Sequence, residues 1–334
     1  METPILGSGS SQTVFVTGGA GYIGSHIVKQ LGEGGYNVVV YDNLSNGSPN
    51  SLLYGKLIIG DLQDWPKLAQ VFAEYQFQAV LHLAASLSVS ESVANPLKYY
   101  ANNTVCTLHL LKCCQQFGVN KLVFSSTAAV YGEMGESLVT ESAPTIPINP
   151  YGRSKLMSER MIQDYSQVSD LKYVIFRYFN VAGADLSGKI GQSDKKATHL
   201  IKVCCDAALG RRQSVSIFGT DYPTFDGTAI RDYIHVQDLA KAHLDALTYL
   251  QTAQESQILN CGYSRGYSVY QVIDKVKEIS GVNFQTIKTQ RREGDSTCVV
   301  ASADKIRRTF GWQPQYNSLD TIIRTAFNWE KKNN

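Results

Sequence analysis

The short apolar run Val14-Phe15-Val16-Thr17 leads directly into Gly18-Gly19-Ala20-Gly21-Tyr22-Ile23-Gly24 and then into a helical pattern. Strand, glycine turn and helix in immediate succession admit few folds. The glycines allow a tight turn, a close backbone approach to a pyrophosphate and tight helix-to-strand packing, while the helix start presents free N–H groups to the anion. The segment satisfies the Gly-x-Gly-x-x-Gly spacing from Gly19 and also reads Gly18-x-x-Gly21-x-x-Gly24. Both registers put the same loop on a dinucleotide.

A second strand, Val38-Val39-Val40-Tyr41, ends at Asp42, near the distance expected for the acid that binds the adenosine ribose hydroxyls. An anion there repels a 2′-phosphate, and no Arg follows in Asn43-Leu44-Ser45-Asn46 to accept one. The cofactor is therefore read as NAD rather than NADP. Further apolar runs at 57–59, 79–83 and 122–124 alternate with helical stretches. That alternation predicts an α/β chain with a doubly wound parallel sheet, Rossmann-like, whose ligands gather at the strand C-termini. Asp61 and Leu62 would lie near the adenine, Ala84 and Ala85 would let the cofactor approach, and Ser125 to Thr127 would sit beside the nicotinamide.

Tyr151 stands four residues before Lys155 in Asn149-Pro150-Tyr151-Gly152-Arg153-Ser154-Lys155. With Pro150 at the first helical position and Asn149 as cap, the two side chains share one helix face. A phenol has a pKa of about 10 and is a poor base at neutral pH unless its anion is stabilised. The Lys155 ammonium and a nearby nicotinamide can supply that positive charge, and Thr127 can share a hydrogen bond with a substrate hydroxyl. An ordinary amphipathic helix has the same spacing; the glycine loop and Asp42 favour the hydride-transfer site.

The composition, 43% hydrophobic and 18% charged over 334 residues, allows a sizeable core in two lobes. A net charge of +2 with scattered basic residues speaks against a nucleic-acid partner. No apolar run approaches the roughly 18 residues of a membrane span, so a cytoplasmic protein is expected. Seven cysteines and six histidines lack metal-ligand spacing and read as reduced thiols and dispersed imidazoles, with no metal.

The chain resembles the extended short-chain dehydrogenase/reductase family from about Val14 to Trp329, and within it the nucleotide-sugar 4-epimerases. The resemblance rests on Gly18 to Gly24, Asn95 to Asn103, Phe124 to Gly132, Pro150 to Lys155, 177–180, 217–224, 231–236 and 291–295. It implies reversible NAD-dependent epimerisation at C4 of a UDP-hexose through a 4-keto sugar, with Tyr151, Lys155 and Thr127 catalytic. It also implies a cofactor shell of Gly18, Gly21, Tyr22, Ile23, Gly24, Asp42, Asn43, Asp61, Leu62, Leu83, Ala84, Ala85, Asn102, Ser125, Tyr151, Lys155 and Tyr178. Substrate contacts would come from Thr127, Tyr151, Asn180, His199, Leu200, Phe218, Arg231, Arg292, Asp295 and Val299. His199 stands where many relatives have Asn, Ser86-Leu87-Ser88 where some have Lys, and Thr127 where Ser is commoner. Val299 stands where some relatives carry a bulky Tyr, which leaves room for an N-acetyl group.

The resemblance further implies a homodimer built from the helical stretches at 97–116 and 151–165, where Leu108, Leu111, Met157 and Met161 exceed what one sheet contact needs. Residues 1–12 are expected to be a disordered segment, 13–180 an NAD-binding domain and 181–334 a smaller α/β UDP-sugar-binding domain, with stretches such as 236–250 free to pack back on the first. A dehydratase of this fold needs an acid after the threonine, where this chain has Ala128 and Ala129. A non-catalytic NAD sensor would be expected to have lost Tyr151 or Lys155. UDP-pentoses and UDP-uronates stay open as sugars.

Overall fold

The computed structural model describes residues 12–135, 138–194, 198–252, 255–292 and 294–333. Apart from Gln12, the expected N-terminal disordered segment lies outside the described residues, as does Glu293 in the 291–295 motif.

Seven parallel strands form the central sheet: β1 (Thr13–Thr17), β2 (Asn37–Asp42), β3 (Lys56–Ile59), β4 (Ala79–His82), β5 (Lys121–Thr127), β6 (Lys172–Tyr178) and β10 (Gln257–Cys261). Their spatial order is β10-β6-β5-β4-β1-β2-β3, and every pairing is parallel. The order reverses between β1 and β4, which opens a crevice at their C-terminal ends where a doubly wound fold binds its ligand.

Side chains alternate across each strand, and both faces are buried. Val14, Val16, Val38, Val40 and Leu81 enter one core, packed by α1 (Tyr22–Glu33) and α8 (Val236–Thr252). Phe15, Val39, Val80, Phe124 and Ile175 enter the other, under α2 (Trp65–Glu74), α5 (Cys106–Phe117) and α6 (Pro150–Gln167). Continuous Val-rich runs suit strands covered on both sides.

Between β4 and α5 lie α3 (Val89–Ala94) and α4 (Pro96–Tyr99), and α4 runs into α5 through a π-helical segment, Tyr100–Val105. The rest of the second half forms β7 (Asn180–Ala182), α7 (Leu200–Ala208), β8 (Ser214–Phe218), β9 (Ile230–His235), β11 (Gly266–Ser268), α9 (Val269–Ser280), β12 (Gln285–Thr289), β13 (Cys298–Val299), α10 (Asp304–Phe310) and α11 (Leu319–Lys332). β9 is flanked by β11 and β13 and also pairs with β7, and β8 pairs with β12. Both α8 and β10 come from this half yet complete the first sheet and its cover.

Candidate active site

The glycine loop carries β1 into α1 at the sheet's crevice. α1 begins after Gly21 with no side-chain cap and no acidic residue in its first turn, so its N–H groups are open to an anion. Gly24 is needed because a Cβ there would lie 2.2 Å from the Gly18 carbonyl oxygen. Gly18 in turn lies against the backbone of Ala84 at the end of β4. Asp42, at the end of β2, accepts hydrogen bonds from the backbone N–H of Ala20 (2.9 Å) and Leu44 (2.8 Å). A carboxylate offers about four acceptor positions, which leaves capacity for two ribose hydroxyls.

Beside Asp42, Asn43 donates to Asp61 (2.9 Å), the Asp61 carbonyl accepts from the Tyr41 hydroxyl (3.1 Å), and Leu62 is buried next to it. On the other side of the crevice the Thr17 hydroxyl accepts from the N–H of Leu83 and Ala84, fixing the 83–85 turn. Asn102, placed by the π-helical segment, donates to the Ser86 hydroxyl at 3.0 Å. Ile23 packs on the core, and Tyr22 reaches across to donate to the Gly183 carbonyl at 2.6 Å. This donor set, an uncapped helix start with a carboxylate at the next strand end, fits a dinucleotide.

Tyr151 and Lys155 are brought to the same crevice by α6. Asn149 caps the helix by accepting from Gly152 N–H at 2.9 Å, and Pro150 occupies the first turn. A Cβ at Gly152 would lie 2.4 Å from the Ala129 carbonyl oxygen, so only glycine lets the helix start lie this close to the turn after β5. That contact sets Tyr151 within hydrogen-bond reach of Thr127. Farther along, fully buried Glu159 accepts from Ser126 (2.5 Å) and from Nε and Nη2 along one edge of the Arg177 guanidinium, and so locks α6 over the neighbouring pair Ser126 and Arg177 of β5 and β6.

The electrostatics of the site are set by burial. Burial raises the Tyr151 phenol above its ordinary range, and the Thr127 hydroxyl pulls it back. Lys155 is drawn down to about 7 by burial, with the Glu159 carboxylate opposing, and its amine stands 4.5 Å from the centre of the Phe124 ring. His82 is lowered to about 3, first by burial and then by Lys155. It hydrogen-bonds Thr17 and Thr107 as a neutral ring. Tyr178 is raised by burial and by Tyr151, while a hydrogen bond with Ser125 opposes the rise.

Three of the candidate substrate residues share one small sheet. Val299 on β13 is in register with Arg231 on β9, and Asn180 on β7 pairs two residues farther along β9 with Tyr233. Val299 packs with Ala128 and Phe179, next to Thr127. Phe218 ends β8, and the Arg292 guanidinium lies 3.6 Å from its ring centre, a cation–π stack over a flat apolar face. Asp295 follows Arg292 in a turn in which its N–H faces the Arg292 carbonyl. Leu200 opens α7, and His199 before it lines a cleft with Tyr22, Gln192 and Trp329.

One residue of the site was not singled out in the sequence. The buried Tyr99 ring meets Tyr151 edge-on at 6.3 Å and donates to Glu91 at 2.9 Å. Its place in Pro96-Leu97-Lys98-Tyr99 looks like plain helix, and only the packing of α4 on α6 reveals it.

A model of the NAD dependent epimerase/dehydratase family matches residues 14–262. The chain is 50% identical to the UDP-glucose 4-epimerase of Azospirillum brasilense, covering 96% of this chain and 93% of that protein. It is similar to the crystal structure of UDP-glucose 4-epimerase from Brucella ovis in complex with NAD, at a TM-score of 0.92 and 41% identity over 95% of this chain and 98% of that one. The UDP-Glc/GlcNAc 4-epimerase of Campylobacter jejuni superimposes at a TM-score of 0.84 with 47% identity, over 96% of this chain and all of that one (100%).

Proposed function

The chain belongs to the NAD dependent epimerase/dehydratase family, and from that premise we propose that it interconverts UDP-glucose and UDP-galactose by reversible epimerisation at C4 of the sugar. The observation that carries this reading is the convergence of Tyr151 and Thr127 at the mouth of a dinucleotide crevice, with Val299 packed on Ala128 and in register with Arg231, and Arg292 stacked on Phe218. Gly18 to Gly24 would hold the pyrophosphate, Asp42 the adenosine ribose, and Lys155 the nicotinamide ribose. When bound, NAD supplies the acceptor and donor of the C4 hydride, so no net oxidation occurs.

The chain's own residues manage the proton and the geometry. Tyr151 takes the proton from the 4-hydroxyl and returns it to the opposite configuration. Thr127 holds that hydroxyl and stabilises the phenolate, and the cationic form of Lys155 adds to the same effect. Arg231 and Arg292 pair with the diphosphate through planar forks. With the diphosphate fixed, the 4-keto sugar turns about its link to phosphate and offers its other face. Val299, smaller than a Tyr, leaves space for a C2 N-acetyl group during that turn, so UDP-N-acetylglucosamine and UDP-N-acetylgalactosamine are proposed as a second substrate pair.

In this reading residues 13–180 are the NAD-binding domain and 181–334 the UDP-sugar-binding domain, with α8 and β10 of the second serving the first. A homodimer is supported by the outward apolar side chains Leu97, Val105, Leu108 and Met157 on the helices that run from α4 to α6, whereas Leu111 and Met161, expected from the sequence to face the partner as well, pack into the chain's own core under the sheet. Twice the chain mass in light scattering is the expected result. A cytoplasmic location fits seven buried cysteines, none of them joined in a disulfide. The reaction is tested by incubating purified protein with UDP-galactose: UDP-glucose should form in the wild type, and Tyr151→Phe should keep bound NAD and lose turnover. Wild-type-like turnover in that variant would remove Tyr151 from the mechanism.

A further inference from the structure

The loop after β8 holds a tyrosine that the reading above does not use. Tyr222 is 5% exposed, and its hydroxyl has no hydrogen-bond partner among the described residues. Most buried polar atoms are paired, and one left alone forfeits its hydration without a replacement, so an orphan in a well-packed place calls for a reason.

The place is well packed. One face of the ring lies against Gly219, and over the ring stands the Arg291 guanidinium, 4.2 Å from the centre. Arg291 is itself held by the carboxylate of Asp221 (2.9 Å) and its carbonyl (2.6 Å). The loop backbone is closed by Tyr222 N–H to the Gly227 carbonyl at 2.9 Å. Asp226 accepts from Thr228 N–H at 2.9 Å and also from the Ser268 hydroxyl, which ties the loop to the start of α9. The ring therefore has little freedom to swing its hydroxyl towards another protein group.

Two of the groups within electrostatic reach of that hydroxyl belong to the substrate cluster. Asp295, Arg231, Arg291 and Asp221 all act on it, and burial together with Asp295 raises the phenol above its ordinary value, so it stays protonated and a donor at neutral pH. Arg231 and Asp295 are two of the residues assigned above to the nucleotide end of the substrate. A fixed, neutral donor beside a guanidinium suits an anionic oxygen, and a hydrogen bond to a charged acceptor is roughly twice as strong as a neutral one.

Resting on the substrate reading above, we propose that Tyr222 is a further substrate-binding residue, whose hydroxyl donates a hydrogen bond to the diphosphate of the nucleoside diphosphate held by Arg231 and Arg292. Binding would then satisfy the orphan hydroxyl and recover its cost as affinity.

Tyr222→Phe removes the oxygen alone and keeps the ring between Gly219 and Arg291. Calorimetric titration of the NAD-loaded protein with UDP and, separately, with uridine tests the assignment. The variant should bind UDP roughly ten-fold more weakly, the loss expected for one hydrogen bond to a charged group. It should bind uridine as the wild type does, and KM for UDP-galactose should rise in step with the UDP constant rather than kcat falling. UDP binding within two-fold of wild type, or an equal loss for uridine, would overturn the role of the hydroxyl while leaving the epimerase reading intact. A wild type that binds no UDP would instead overturn that reading, and this inference with it.

Discussion

Replacing Lys155 by Met should stabilise the cofactor-free protein while removing its activity. Burial draws the ammonium from its ordinary 10.5 to about 7. Such a displacement corresponds to a penalty on the folded state of about 5 kcal/mol at acid pH and about 4 kcal/mol at pH 7, where half of the folded molecules have shed the proton. The sign follows from the unfolded chain binding the proton more tightly. The penalty is complete below about pH 7, declines as pH rises, and is gone above the ordinary value of 10.5. Methionine fills similar volume without a charge. Unfolding a chain of 334 residues carries an entropy of roughly 0.7 kcal/mol per degree, so 4 kcal/mol is a rise in Tm of about 6 °C. Scanning calorimetry of stripped wild type and variant between pH 6 and 10.5 measures this directly. The gap should be widest at the acid end and close towards pH 10.5. A variant that melts below the wild type at pH 6, or a gap independent of pH, would refute the argument that Lys155 is held at a cost in stability for its chemistry. At neutral pH the same variant should be inactive and should recover part of its turnover at high pH, where Tyr151 ionises unaided.

Gly24→Ala should cost at least ten-fold in bound NAD, because its Cβ would lie 2.2 Å from the Gly18 carbonyl oxygen and 2.7 Å from the Gly19 Cα; the nucleotide content of purified protein reads this out, and normal content would contradict the assigned loop. Val299→Tyr should suppress turnover of UDP-N-acetylgalactosamine by an order of magnitude or more and largely spare UDP-galactose. A wild type that turns over UDP-galactose readily but the acetylated sugar not at all would dismiss Val299 as the gate.

Local signals carried the first half of the fold. Val14 to Gly24 reads as strand, turn and helix because the constraint is contiguous, and Asn149-Pro150 before Tyr151 states a capped helix start in adjacent residues. The parallel sheet follows because Val-rich runs buried on both faces have few other uses. Long-range partners were not legible in the same way. Nothing in Gln257–Cys261 says that this strand adds to β6 across an intervening second lobe. Asn180, Arg231 and Val299 are scattered in the sequence, and their common sheet emerges only from strand pairing. Tyr99 and Tyr222 look like core aromatics by composition, and it takes the edge contact with Tyr151 in one case and an unpaired hydroxyl in the other to single them out. The stack of Arg292 on Phe218 also joins residues far apart in the chain.

The central claim is that the hydrogen at sugar C4 leaves and returns within one active site while Tyr151 handles only the hydroxyl proton. UDP-galactose deuterated at C4, incubated with the purified protein in ordinary water and without added cofactor, tests it most directly. UDP-glucose that retains the deuterium at C4 is the predicted product by mass spectrometry and NMR. UDP-glucose with hydrogen from solvent at C4 would contradict the account, since it would require proton abstraction from carbon rather than hydride transfer.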